Sequence, residues 1–538
     1  MTSNLLRRIP RPSLVEIGAL VSIVAIGFWT RVPGFSRYDL WFDDAWAALP
    51  AKVTFATANK MVATTPAYSL AMRSWLQLGP KTTIWAQIPS FVFAMVGIIA
   101  IYALVRYFTF SRNLGLLASL VIAVGPVTSL YATRMKEYAA DFLIACCVLA
   151  AAEAWRRRPT WQAATTLGAV GSVSLLVSAQ TLLVTGAALL MMVLSCLADR
   201  SRLRHTAGVM SAVVLTAVVA EVLWFSHIVP QLSANWTNKG YMLDVSSLHR
   251  VLFSVEHMLS GLGHGFLGLV IPYSFNPQAA SPVAVLWAVV VGVVFVFLIA
   301  LALVPAVKRW RTGPSPLVAP ALVLVAAAVG AVAQMTPFGG GRTDEVLYPA
   351  LIVMLCAALT WARQQWSLRR GVVLTVCSVS ALSLVTFGAL HTARYPEVDL
   401  RSIAAQLGPA LLPGDRVVVD GYASFTWAHD DLSPWRVNFA QGTIPWPMGF
   451  HATSTKPDVT MSGEYLQPDD HTEAVFHTGH RLWYVTITIG ASSPYAPKGL
   501  LNFPLPTPTR SAMLAAGWQP TTMHLSATHA DASLFTHR

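Results

Sequence analysis

Apolar runs of membrane-crossing length recur along most of this chain, separated by short polar connections. They fall at about 15–32, 86–105, 113–131, 138–155, 161–176, 178–197, 206–226, 282–304, 316–335, 345–364 and 371–391. A helix needs about 20 apolar residues to bridge the hydrocarbon of a bilayer. The pattern therefore predicts a polytopic α-helical membrane protein with about eleven transmembrane helices. Two longer polar stretches interrupt it: a first outer loop at 33–84 and a large outer loop at 227–281. Within the first, residues 44–58 and 66–78 have the pattern of short amphipathic helices lying on the membrane face.

Beyond the last run the composition becomes that of a soluble domain. Asp399 to Leu407 has a helical apolar period, Pro413-Gly414-Asp415 makes a turn, and Arg416 to Asp420 is an apolar strand. A second strand is expected at Leu482 to Ile489, and together these predict a small α/β domain over 392–538. Residues 1–391 read as the transmembrane domain that carries the chemistry. The C-terminal region lacks a nucleotide-binding glycine fingerprint, so it is expected to bind or shield substrate.

Composition agrees with the pattern: 55% of the 538 residues are hydrophobic and 12% charged. A net charge of +12 invites a nucleic-acid reading, but the positions of the basic residues argue otherwise. They cluster in alternate connections: Arg106 and Arg112; Arg156, Arg157 and Arg158; Arg200, Arg202 and Arg204; Lys308, Arg309 and Arg311; Arg363, Arg369 and Arg370. With Arg7, Arg8 and Arg11 they follow the positive-inside rule, giving a multi-pass cell-membrane protein with a cytoplasmic N-terminus and an extracytoplasmic C-terminal domain. All five cysteines lie in apolar runs, which excludes a disulfide framework or a zinc cluster. The first run continues past Pro33 without a small-residue cleavage site and reads as a retained helix.

Three outer-face constellations could carry chemistry. Asp43 and Asp44 lie between Trp41 and Trp46 just after the first run. A lone Asp there would cap a helix. Two adjacent carboxylates near hydrocarbon are costly, and mutual repulsion splits their roles into a base and an ionised orienter. Next comes the segment Tyr131 to Tyr138, where Arg134 and Lys136 sit on the cation-poor side. They are either snorkelling anchors or donors of charge-assisted hydrogen bonds to a phosphate, flanked by Tyr131 and Tyr138. Arg342 follows Gly339-Gly340-Gly341, glycines suited to close approach of the backbone to a ligand, and is a second candidate phosphate clamp. Trp41, Trp46 and the weaker pair His257 and His264, seven residues apart, are candidates for acceptor or sugar binding. No metal is assigned to any of these residues; a divalent cation has no support in the sequence.

Taken in order, these signals resemble the GT-C superfamily of membrane glycosyltransferases. The nearest branch holds protein O-mannosyltransferases, lipid A aminoarabinose transferase and the bacterial RgtA/B/C/D-like enzymes. Leu40 to Trp46 resembles that branch's first-loop Asp-Glu motif, and Thr65-Pro66-Ala67-Tyr68-Ser69-Leu70 through Trp75 its Pro-Pro-Leu-Tyr segment. Gln87-Ile88-Pro89-Ser90 resembles its Arg-Leu-Pro-Ser, and Tyr131 to Tyr138 its Tyr-Ser-Gln-Glu-Ala-Arg-Pro-Tyr signature. The turn at Pro413 and the strand after it resemble the outer domain of many members. Departures are Asp44 for Glu, Gln87 for Arg, and Arg134 and Lys136 where Glu and Arg are typical.

The resemblance implies a GT-C fold and an inverting enzyme of the EC 2.4 class. Such an enzyme moves a sugar from a polyprenyl-phosphate carrier to an envelope glycan, lipoglycan or protein on the outer face, with Asp43 as the base. Mannose ranks first and arabinose second, because the Ala/Val/Arg-rich usage looks actinobacterial. The rivals are a polysaccharide polymerase, a lipid-linked-sugar transporter or flippase, and a receptor whose C-terminal domain is the sensor. A transporter would place paired charges near mid-bilayer, whereas here the polar constellations gather on one face.

Overall fold

The computed structural model describes residues 12–49, 64–80, 82–220, 243–256, 293, 315–333, 342–365, 397–429, 436–441, 448–453, 460–463, 474–487, 508–528 and 530–537. The chain divides into two compact units, Met1–Gly34 with Pro89–Ala393, and Phe35–Ile88 with Arg394–Arg538. The first outer loop, assigned from sequence to the transmembrane domain, thus folds with the C-terminal residues.

The first unit is helical. Its elements are α1 (Leu14–Arg31), α5 (Arg112–Val124), α6 (Pro126–Leu130), α7 (Tyr138–Arg157), α8 (Trp161–Val177), α9 (Leu182–Ala198), α10 (Ala207–Ala220), α11 (Val318–Val332) and α12 (Tyr348–Gln365). The second unit contributes α2 (Phe42–Ala48) and α3 (Pro66–Leu78), and the division falls within α4 (Thr83–Thr109). Among the described residues four helical stretches are long and apolar enough to cross a membrane: Leu14–Gly34, Thr83–Thr109, Tyr138–Arg157 and Ala179–Ala198. The bent pair Arg112–Val124 and Val127–Thr133 would make a fifth. The apolar runs expected at about 282–304 and 371–391 lie outside the described residues, apart from residue 293.

Two prolines shape the helices by withholding a donor. Pro126 has no N–H to offer the carbonyl of Ile122, and the chain bends by 57° there. The stranded carbonyls find side chains instead. Arg31 donates to Ile122 O and to Ala123 O, each at 2.7 Å, and Thr30 Oγ1 donates to Ala123 O at 2.8 Å. Thr128 Oγ1 also donates to Ile122 O at 2.8 Å. Arg31 is fully buried, and its charge is within electrostatic reach of Glu345. Pro89, inside α4, frees the carbonyl of Trp85 in the same way. The Trp75 indole donates to that carbonyl at 2.8 Å, and Trp85 returns the bond to Trp75 O at 3.1 Å. The two rings stack with centroids 4.1 Å apart, pinning α3 to the start of α4.

Other charges at helix ends are buried in partnership. Glu16 closes a capping box with Ser13, takes the Tyr102 hydroxyl, and pairs with Arg106 at 3.2 Å. Glu153 is gripped by Arg156 and Arg157, each with its closest contact at 2.6 Å. In the spans that are described, these paired charges sit near the helix ends.

The second unit holds a seven-stranded mixed sheet of β1 (Arg416–Val419), β2 (Arg436–Gln441), β3 (Met448–Thr453), β4 (Thr460–Gly463), β5 (Arg481–Ile487), β6 (Trp518–Ala527) and β7 (Ala530–His537). Its order is β2-β3-β4-β1-β5-β7-β6, with β1 parallel to both β4 and β5 and the other pairs antiparallel. Helices α13 (Leu400–Ala410), α14 (Gly421–His429) and α15 (Pro508–Ala515) accompany it. Asp399 caps α13, as the apolar period from that residue implies, by accepting from Ser402 N at 3.0 Å. Val418, Leu482, Tyr484, Met513, Trp518 and Phe535 share one buried apolar cluster.

Arg31→Leu leaves the Ile122 and Ala123 carbonyls without their strongest donor. Each carbonyl keeps one hydroxyl donor, from Thr128 and Thr30 respectively, so the loss of the charge-assisted bonds is expected to cost about 1.5–3 kcal/mol, read as a lower Tm of the purified protein in detergent, with no comparable loss for the exposed Arg37→Leu.

Candidate active site

The acidic pair belongs to the second unit. Residues 39–46 leave the end of the first span with a run of buried groups: Asp39 at 1%, Leu40 at 1%, Trp41 at 4% and Asp44 at 1% exposure. Trp41 holds extended backbone angles at the N-cap position of α2, and its carbonyl accepts from Asp44 N at 2.9 Å and from Ala45 N at 2.8 Å. Both acids therefore occupy the first turn of a helix, where the N-terminal partial charge favours carboxylates. The side chain of Asp43 lies outside the described residues. Trp46 is buried and stacks on Phe425 of α14 with ring centroids 5.9 Å apart.

The basic segment belongs to the first unit. After the break at Pro126, α6 passes into a single 3₁₀ turn, Tyr131–Thr133, and the chain runs through Arg134 and Lys136 to the start of α7. Thr133 Oγ1 donates to Gly34 O at 2.8 Å, tying this turn to the end of the first span. Arg134 and Lys136 are buried, and Tyr131 and Tyr138 meet edge to face at 5.2 Å across the segment. Tyr131 and Tyr138, which lie either side of the two cations in sequence, thus touch one another.

The turn that carries Arg342, Arg342–Leu347, packs against α7. The Arg342 side chain lies outside the described residues, as do His257 and His264 altogether. Among the described residues no group of three or more His, Cys, Asp or Glu could hold a metal ion.

Asp141, one turn past Tyr138, stands beside the cations in the sequence, but sequence reading missed the acceptor-rich set around it. Asp141 and Glu345 are 2% and 3% exposed and lie within electrostatic reach of one another and, through Asp141, of Glu137. Asp141 accepts a hydrogen bond from Ser178. Glu137 Oε2, Asp141 Oδ1, Glu345 Oε1 and Gln180 Oε1 are all buried without a hydrogen-bond donor. A signal did exist: Ser178-Ala179-Gln180-Thr181 interrupts two apolar runs, and Glu345 heads another. Burial raises the carboxyl of Glu137 above its ordinary range, opposed by the neighbouring Lys136. The arrangement offers cations suited to a phosphate, with unfilled acceptors suited to hydroxyl groups.

No protein-family model matches the chain, and no curated protein matches it in sequence. Solved structures do resemble it. ArnT from Cupriavidus metallidurans in the apo state, an aminoarabinose transferase of the GT-C class, superposes with a TM-score of 0.50 at 13% identity. The match covers 97% of this chain and 98% of that one. The same enzyme bound to undecaprenyl phosphate gives a TM-score of 0.46 at 13% identity, covering 96% and 97%. The chain carries the GT-C fold over nearly its whole length.

Glu137 yields a pH prediction. A carboxyl whose pKa is raised on folding binds more protons folded than unfolded, so its contribution to stability falls as pH rises from the unfolded pKa toward the folded one. Glu137→Gln removes that penalty. It should raise Tm at pH 8 relative to the parent and leave Tm at pH 4 nearly unchanged, as thermal unfolding at the two pH values will show.

Proposed function

We propose that the chain is an inverting glycosyltransferase that takes a sugar from a polyprenyl-phosphate carrier and gives it to an acceptor at the outer membrane face. The observation that carries this reading is the short helix α2, which sets two neighbouring acids, one of them buried, in a chain of GT-C fold. The acceptor hydroxyl gives its proton to one carboxylate as its oxygen bonds the anomeric carbon. The bond from that carbon to the phosphate breaks on the opposite side, and the electron pair leaves with the polyprenyl phosphate.

Each residue set has a part. The family resemblance makes Asp43 the base and Asp44 the orienter, and like-charge repulsion between neighbours favours one staying ionised while the other accepts the proton. Arg134 and Lys136, with Arg342, would meet the charge that develops on the leaving phosphate, while Tyr131 and Tyr138 line its path. The donorless oxygens of Glu137, Asp141 and Glu345 suit sugar hydroxyls. Trp41 and Trp46 would flank the acceptor, with His257 and His264 as further candidates. The wider reading has eleven spans, an inner N-terminus and an outer α/β domain, in the cell membrane of an actinobacterium. Mannose is the first sugar and arabinose the second, with a glycan, lipoglycan or protein as acceptor. A polymerase would use the same outer-face acid. A transporter is less well supported, because the ion pairs of Glu16 with Arg106 and of Glu153 with Arg156 and Arg157 lie near helix ends, away from mid-span.

In purified membranes given a polyprenyl-phosphate sugar, Asp43→Asn should lower transfer by about 10²–10⁴-fold while carrier binding persists. Arg134→Ala should weaken carrier binding instead. Transfer by Asp43→Asn within a few fold of the parent would overturn the assignment. Mass spectrometry of envelope glycans after deletion of the chain would show one missing residue, naming sugar and acceptor together.

A further inference from the structure

Helix α2 cannot hold its own shape. It has seven residues, and its N-cap position, Trp41, offers no side-chain hydrogen bond. Isolated helices below about 12–15 residues are marginal in water. The placement of Asp43 and Asp44 must therefore be imposed from outside, and the contacts that impose it come from the C-terminal residues of the same unit.

Three attachments grip the segment. Ahead of the helix, Asp39 N donates to Val398 O at 3.1 Å, and the buried Asp39 carboxylate accepts from Arg401 N, in the first turn of α13, at 2.8 Å. The Arg401 guanidinium also approaches Asp39 at 3.4 Å, but its side chain is 65% exposed, so the buried backbone bond is the firmer link. At the entrance to the helix, Thr426 Oγ1 donates to Leu40 O at 2.8 Å. Thr426 is fully buried and Leu40 nearly so, which makes that carbonyl costly to leave unmet. Further along, Trp46 lies on Phe425, the residue beside Thr426.

These anchors trace back to the sheet. Asp420 opens α14: its carbonyl accepts from Ser424 N at 2.8 Å, and its own N–H donates to Val485 O of β5 at 2.7 Å. Its carboxylate accepts from Thr486 Oγ1 at 2.9 Å. The path from β5 through Asp420, α14 and Thr426 to Leu40 is thus continuous, and each step in it is a hydrogen bond or a helix.

We propose that the C-terminal domain is a working part of the transfer site, and that Thr426 and Asp39 are positioning residues that fix the acidic pair for proton removal. This rests on the glycosyltransferase reading above. It replaces the expectation that the domain only binds or shields substrate. Neither residue is asked to touch substrate. A catalytic group displaced by about 1 Å can lose about a hundredfold in rate, and Thr426 sets the entrance of a two-turn helix.

The test compares full-length Thr426→Val and Thr426→Ser with the parent, using a polyprenyl-phosphate sugar. Valine keeps the shape and removes the donor, while serine keeps the donor. If the inference holds, Thr426→Val lowers kcat tenfold or more with KM for the donor within about twofold, and Thr426→Ser restores most of kcat. A kcat for Thr426→Val within twofold of the parent overturns it, as does an equal loss for Thr426→Ser. Should Thr426→Val fail to give a monodisperse protein, Asp39→Asn and Asp39→Ala decide by the same measure. Asparagine keeps an acceptor for Arg401 N and should retain kcat, alanine should lose it, and equal kcat for the two overturns the inference. Asp43→Asn and Asp44→Asn run beside them. If both acids prove dispensable the enzymatic reading itself falls, whereas loss in those variants with normal Thr426→Val removes the positioning role alone.

Discussion

A backbone carbonyl in or near hydrocarbon must find a donor within the protein, because no water is present to supply one. Pro126 and Pro89 each break that supply one turn back along their helices. The structure answers with side chains: Arg31, Thr30 and Thr128 for the first break, the Trp75 indole for the second. Neither break is idle. The chain bends after Val124 and so delivers the turn that precedes Arg134 and Lys136. The indole exchange at Trp85 ties α3 to α4, and Gln87, two residues before Pro89, accepts from Ser36 N at 3.0 Å, anchoring the start of the loop that carries the acids.

The second constraint is the brevity of α2. A short helix bearing two carboxylates gains from its own N-terminal charge, but that gain of a few tenths to about 1 kcal/mol does not set an orientation. Orientation comes from Asp39 at one end and from Thr426 and Phe425 on α14. The division of the molecule follows from this. Residues 35–88 fold with the C-terminal residues because the Asp39 carboxylate and the Leu40 carbonyl are satisfied there, in links that span 362 and 386 positions of sequence.

Such links explain what could and could not be read from the chain. Hydropathy locates the described helices to within a few residues, since a bilayer selects on local apolar content, and the capped start of α13 at Asp399 is equally local. The strand from Arg416 and the one reaching Ile487 also announce themselves by apolar runs. The partnership of Leu40 with Thr426 leaves no such trace, because neither residue type is unusual where it stands. Buried pairs are similarly silent: Glu16 and Arg106 each look like ordinary flanking charges, and only their meeting at 3.2 Å makes them internal. The acids Asp141 and Glu345 were visible as residues, but their shared surroundings depend on α7 packing against the turn at 342–347. Asp43, Asp44, Arg134 and Lys136 stand out because charge is rare in so apolar a chain.

Lys136 illustrates why such residues resist a single role. It lowers the cost of burying Glu137, whose carboxyl is otherwise pushed toward its neutral form. A substitution there would remove a cation from any bound phosphate and at the same time unbalance the neighbouring Glu137 carboxyl. The affinity lost and the stability lost would then share one cause and could not be separated by their size. A loss of carrier affinity on substitution of Lys136 therefore speaks first to the Glu137 carboxyl it neutralises.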